Sequence, residues 1–133
     1  MIKVMLVDDH LLFREGVRAR LSMCDEIVLV GEAENGRQLL EKLDDLRPDV
    51  VLMDMRMPVM DGVEACEIIM RRKGGHPIAT VAFVTAHASE EFKTKCLKAG
   101  ASDFVSKPFN IRDIERCLQK LHAGRKPEVE AAI

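Results

Sequence analysis

Residues Val50 to Gly62 read Val-Val-Leu-Met-Asp-Met-Arg-Met-Pro-Val-Met-Asp-Gly. The four apolar residues Val50 to Met53 are too few for a helix. They suit a strand covered on both faces, as strands inside parallel sheets are. The run stops on a carboxylate, Asp54. After a short loop with Pro58, Asp61 reads as a helix N-cap with Glu64 as its capping-box partner. An acid at the mouth of a buried strand does not serve packing. Open parallel sheets bind ligands at the carboxyl ends of their strands, so the question for the remaining chain is what else reaches that edge.

Ile2 to Val7 is a second apolar, β-branched run, and it ends on Asp8 and Asp9. Leu11 to Ser22 places Phe13, Val17 and Leu21 on one helical stripe, with Arg14, Arg18 and Arg20 largely off it. Ile27 to Gly31 reads as a strand. Asn35-Gly36 opens a helix carrying Leu39, Leu40, Leu43 and Leu46, which Pro48 closes. Beyond Asp54, Gly62 to about Arg72 is a helix burying Val63, Cys66, Ile69 and Met70. Gly74-Gly75-His76-Pro77 is a turn, and Ile78 to Val84 a strand with Thr85 at its end. Ser89 caps a helix with Glu90 and Glu91 in its first turn, which suits the dipole, and Gly100 stops it. Asp103 to Ser106 is a short strand followed at once by Lys107-Pro108. Ile111, Ile114, Leu118 and Leu121 mark a last amphipathic helix. The expected organisation is one domain over residues 1–122 and a frayed tail over 123–133.

Five strands alternating with five helices pair in parallel through right-handed crossovers. The expected fold is a doubly wound α/β sheet, five-stranded, in the order 2-1-3-4-5. With 133 residues the chain suits a single domain. A net charge of −2 offers no basic excess for direct nucleic-acid binding. The short apolar run at the N-terminus predicts neither signal peptide nor membrane span, and a cytoplasmic location is expected. Cys24, Cys66, Cys96 and Cys117 form no CxxC pair, which predicts reduced thiols rather than disulfides or a zinc site. His10, His76, His87 and His122 lack metal-ligand spacing.

In a 2-1-3-4-5 sheet the first and third strands are neighbours, about 4.8 Å apart. Asp8, Asp9 and Asp54 then meet, and three like charges in one crevice repel unless a cation joins them. With oxygen ligands throughout, a hard ion fits, Mg²⁺ first. Thr85 adds a hydroxyl and Lys107 a positive charge. The set suits phosphoryl transfer, in which positioning and cations stabilise the charge on the phosphoryl oxygens. Asp54, single and central, is the candidate nucleophile for an acyl phosphate. Asp8 and Asp9 would hold the metal. Lys107 would pair with Asp54 before phosphorylation and contact a phosphoryl oxygen after it, and Thr85 would donate a hydrogen bond to the phosphoryl group.

Val7-Asp8-Asp9, Asp54 to Gly62, Val84-Thr85-Ala86 and Lys107-Pro108, in that order, resemble the receiver domain of two-component response regulators. The resemblance covers about residues 2–122. It implies a CheY-like fold and phosphoryl transfer to Asp54 from a phosphohistidine of a sensor histidine kinase or histidine phosphotransfer protein. By the same likeness Asp9 ligates Mg²⁺ directly, Asp8 acts mainly through water, and the backbone carbonyl of Arg56 also binds the ion. Lys107-Pro108 would be a cis bond. Phe104 falls at the family's switch aromatic: Thr85 moves towards the phosphoryl oxygens and Phe104 turns into the space left. The face of the fourth helix, fifth strand and fifth helix then meets an output partner. Arg56 and His87 sit where such domains tune the lifetime of the phosphorylated state. Such a domain catalyses only its own phosphorylation and dephosphorylation.

Each residue also has a plainer reading. Asp8-Asp9 could cap the first helix, Thr85 could merely end a strand, Lys107 could be a surface lysine, and Phe104 could be core filler. Met53, Met55, Met57 and Met60 read as packing, because they do not converge. Asp8 to Gly16 looks like receivers joined to helix-turn-helix domains, and Gly100 to Phe109 like chemotaxis-type or hybrid-kinase receivers. A fragment of a longer regulator or hybrid kinase is therefore an alternative to a stand-alone receiver. A haloacid-dehalogenase-type phosphatase would want an acid two residues after its nucleophile, where Arg56 stands. A flavodoxin-like binder would place phosphate where Asp8 and Asp9 repel it.

Overall fold

The computed structural model describes residues 1–72, 79–86, 89–107 and 110–123. The strands are β1 (Ile2–Val7), β2 (Ile27–Ala33), β3 (Val50–Met53), β4 (Thr80–Thr85) and β5 (Asp103–Ser106). The helices are α1 (Leu11–Leu21), α2 (Gly36–Leu46), α3 (Gly62–Arg71), α4 (Glu90–Lys98) and α5 (Ile111–Ala123). All strand pairs are parallel, in the order β2-β1-β3-β4-β5. This is the doubly wound arrangement expected from the alternation of short apolar runs and amphipathic stretches.

Successive side chains of a strand point to opposite faces, and the core divides accordingly. Met5, Val7, Val51, Met53, Val81 and Phe83 pack with residues of α2, α3 and α4. Val4, Leu6, Val50, Leu52, Ala82 and Val84 pack with residues of α1 and α5. The four residues of β3 are all fully buried, so the central strand needs an apolar side chain at every position.

The helix ends follow the local chemistry. The Asp61 carboxylate accepts from the Glu64 amide at 2.8 Å, the Asn35 side chain from the Gln38 amide, and the Ser89 hydroxyl from the Phe92 amide. Arg47, the residue before Pro48, ends α2 in the left-handed region at φ 45°, and Gly100 after α4 has φ 105°.

Some boundaries differ from expectation. β2 runs on to Ala33, and its register against β1 slips between Val4 and Met5. β4 is paired from Thr80 and extends through Thr85, so Thr85 is the strand's last residue rather than the one after it. Ala123, expected to open the tail, closes α5. The turn at 74–77, Ile78, His87, Pro108 with its expected cis bond, Phe109 and residues 124–133 lie outside the described residues.

Candidate functional site

The sheet register builds the site. Val7 lies opposite Met53, so Asp8 and Asp54 leave the sheet side by side. The Asp54 amide donates to the Val7 carbonyl at 2.9 Å, and the Asp8 amide to the Ala33 carbonyl at 3.1 Å. On the other side Met53 pairs with Phe83 and Thr85 with Ser106. The Lys107 amide donates to the Thr85 carbonyl at 2.7 Å, which brings Lys107 to the same edge.

One donor atom from each of Asp8, Asp9, His10 and Asp54 lies within 4.8 Å of the others. The three carboxylates read from the sequence as meeting at this edge therefore do meet. Asp8 is 1% exposed, whereas Asp54 is half-buried and Asp9 open to solvent. Burial raises the Asp54 carboxyl above the ordinary carboxylate range. The Lys107 charge opposes that shift, Asp8 adds to it, and the backbone N–H groups of Arg56 and Met55 pull the other way. The crevice thus disfavours its own negative charge despite a nearby ammonium. Clustered hard oxygen donors of this kind fit a small divalent cation.

Lys107 differs from expectation in its partner. Its ammonium pairs with Asp8 at 3.4 Å rather than with Asp54. It also stands over the Phe13 ring, 4.1 Å from the centroid, a contact that favours a cation. Asp8 is the more deeply buried carboxylate and so gains more from a counter-charge. The Lys107 charge also favours the ionised form of the Asp54 carboxyl, against the effect of burial.

Thr85 is 3% exposed at the end of β4, beside the β5 end. Arg56 follows Asp54 in the β3–α3 loop, with its guanidinium carbon 5.2 Å from the Phe92 ring centroid. Phe104 lies on β5 opposite Phe83, half-buried against the core on the α2–α4 face. The Lys93 ammonium stands 4.9 Å from the centre of its ring.

Two residues were not singled out by the sequence. His10 belongs to the acid cluster: its Nδ1 is 3.0 Å from Asp8 Oδ1 and 3.2 Å from Asp9 Oδ1, and its amide donates to Asp8 Oδ1 at 2.8 Å. Spacing rules for metal ligands miss a histidine that is brought in by the turn from strand to helix. Arg14, placed largely off the apolar stripe of α1, is 7% exposed, and its Nη1 donates to the Asp8 carbonyl at 2.5 Å. Its place one turn into the helix that leaves Asp9 was the available signal.

Comparison with known proteins agrees with this geometry. A model of the response regulator receiver domain matches residues 4–119. The response regulator GacA of Pseudomonas syringae pv. syringae (strain B728a) is 37% identical over 126 residues, which are 95% of this chain and 58% of GacA. The protein-glutamate methylesterase/protein-glutamine glutaminase of Nocardioides sp. (strain ATCC BAA-499 / JS614) is 37% identical over 133 residues, 99% of this chain and 36% of that protein. The chain therefore spans little more than half of the one and about a third of the other. The solved signal receiver domain of NarL from Mycobacterium tuberculosis superposes with a TM-score of 0.86 at 33% identity, covering 93% of this chain and 98% of that one. The fold, the order of the strand-end residues and these matches agree: the chain belongs to the response regulator receiver domain family of two-component systems.

Proposed function

We propose that this chain is a phospho-accepting receiver that takes a phosphoryl group from a phosphohistidine onto Asp54 and passes the signal through a docking face. The observation that carries this reading is the convergence of Asp8, Asp9 and Asp54 at one edge of the sheet, with Lys107 bound into it. The donor is a sensor histidine kinase or a histidine phosphotransfer protein. An Asp54 carboxylate oxygen attacks phosphorus, the phosphorus–nitrogen bond breaks, and the imidazole leaves with its electron pair.

The residues divide the work by chemistry. Asp8, Asp9, Asp54 and the backbone carbonyl of Arg56 would hold Mg²⁺. The bound ion would supply positive charge to the phosphoryl oxygens. The N–H groups of Arg56 and Met55 favour the ionised, nucleophilic form of Asp54. Lys107, on Asp8 in the present state, would turn its ammonium to a phosphoryl oxygen, and Thr85 would offer its hydroxyl. Movement of Thr85 towards that group would open space for Phe104 and so alter the face of α4, β5 and α5. Leu97 of α4 is 56% exposed and offers that face an apolar contact for an output partner. His87, which falls outside the described residues, and Arg56 would tune the lifetime of the phosphorylated state.

The chain's likeness to parts of longer regulators supports a receiver that works with an output domain, so the output is a matter for the whole protein. Family membership favours a receiver over a haloacid-dehalogenase-type phosphatase. The test is incubation with acetyl phosphate or phosphoramidate and Mg²⁺. A mass gain of one phosphoryl group, labile to hydroxylamine and missing in Asp54→Asn, is expected. Turnover of many phosphate esters without such a product would support the phosphatase.

A further inference from the structure

We propose that Arg14 is a positioning residue that sets the turn carrying Asp8 and Asp9, and thereby the affinity of the site for a divalent cation. The inference rests on the reading of Asp8, Asp9 and Asp54 as a metal-holding cluster.

The Asp8 backbone is where β1 leaves the sheet. Its amide still bonds to β2, at Ala33. Its carbonyl is taken instead by Arg14 Nη1, reaching back from the first turn of α1. Only Asp9 and His10 separate Asp8 from that helix. Fixing the Asp8 carbonyl therefore fixes the direction in which the next two residues leave the sheet.

Arg14 is itself held. Its Nε lies 3.3 Å from Glu32 Oε1 on β2, close enough for an ion pair though not aligned for a hydrogen bond. Its Nη2 is 3.9 Å from Glu34 Oε1. Glu32 is fixed in turn by Arg18, whose Nε is 2.9 Å from Glu32 Oε2. A planar guanidinium can meet a carbonyl with one nitrogen and a carboxylate with another; an ammonium offers no such fork. The network ties the ends of β1 and β2 to α1 next to the acid cluster.

The charge alone predicts the opposite effect. A cation beside a cation site repels the ion, so removing Arg14 should tighten binding if charge is all that matters. If Arg14 positions Asp8 and Asp9, its removal should weaken binding although a repulsive charge is lost. The sign of the change separates the two.

The test is calorimetric titration of the full chain with Mg²⁺. With no Trp or Tyr in the sequence, a two-dimensional NMR titration supplies the second readout. Loss of a residue that orients metal ligands typically costs about tenfold or more in affinity, and that rise in Kd is expected for Arg14→Met. Arg14→Lys should fall between Arg14→Met and the parent. Amide shifts should centre on Asp8, Asp9 and His10. A lowered melting temperature with an unchanged Mg²⁺ Kd would make Arg14 merely structural and overturn the proposal; tighter binding in Arg14→Met would overturn it too. If Arg14→Met does not fold, Arg14→Lys decides it: with the charge kept, a raised Kd supports positioning and an unchanged Kd overturns it. A parent protein that binds no Mg²⁺ would overturn the metal-site reading and this inference together. Binding in the parent with an unchanged Kd in the variants would overturn this inference alone.

Discussion

Gly62 is the first residue of α3 and lies directly behind Asp54. A Cβ built there would overlap the Asp54 carbonyl oxygen and come 2.7 Å from Phe83 Cε1. Neither neighbour can yield cheaply, because one is backbone at the strand end and the other is a fully buried ring. Overpacking costs about 1–3 kcal/mol, and two rigid neighbours put Gly62→Ala near the upper end. Alanine regains at most about 1 kcal/mol of helix propensity. The net loss is about 2 kcal/mol, which for a domain of this size lowers Tm by about 8 °C. Gly16, mid-helix in α1, has no atom within 4 Å of its virtual Cβ. Gly16→Ala should therefore stabilise by about 0.5–1 kcal/mol. Thermal melts followed by circular dichroism measure both. The shift at Asp54 should also reduce the yield of phosphorylated Gly62→Ala with acetyl phosphate. If both variants raise Tm alike, the close packing of α3 against Asp54 is wrong.

Three further outcomes are expected. Because burial raises the Asp54 carboxyl, the folded state binds a proton there more readily than the unfolded chain. Ionised Asp54 is thus a destabilising charge above its folded pKa, and that penalty fades as pH falls towards the ordinary carboxylate value of 3.8. In chelator at neutral pH Asp54→Asn should melt higher than the parent, with the gap narrowing on acidification; a lower Tm at neutral pH contradicts this. Val59, 73% exposed, holds φ 68°, a left-handed conformation hostile to a β-branched residue. Relief of about 1–2 kcal/mol, less the greater chain entropy of glycine, should make Val59→Gly more stable by about 0.5–1 kcal/mol in urea unfolding. Asp61→Ala removes the bond to the Glu64 amide and should cost about 1 kcal/mol in the same assay; no loss would deny the cap its role.

Strand and helix order was legible because the apolar spacing changes sharply between elements. Val50 to Met53 has no polar residue to place on a solvated face, and all four are indeed enclosed. The strand-end acids were legible too, since parallel pairing sends every carboxyl end to one edge. Side-chain reach was not. Lys107 sits on Asp8 because the most buried carboxylate makes the strongest claim on a cation, and burial is a property of the folded edge. Arg14 falls off the apolar stripe of its helix, a position that gives no sign of burial. At the N-terminal end of α1, however, that side meets β2 and the Asp8 carbonyl. His10 escaped notice for a related reason: it enters the cluster through a turn, which sequence spacing does not describe. Val59 gave no hint of a left-handed backbone, since the loop after Pro58 imposes it against the residue's own preference.

The central claim is that Asp54 itself carries the phosphoryl group. An acyl phosphate is reduced by borohydride, and an aspartyl phosphate becomes homoserine in its place. After incubation with acetyl phosphate and Mg²⁺, reduction and peptide mapping should find homoserine at position 54 and at no other aspartate. Homoserine at Asp8 or Asp9, or a stable phosphoryl group on a hydroxyl or imidazole with residue 54 unmodified, would contradict it.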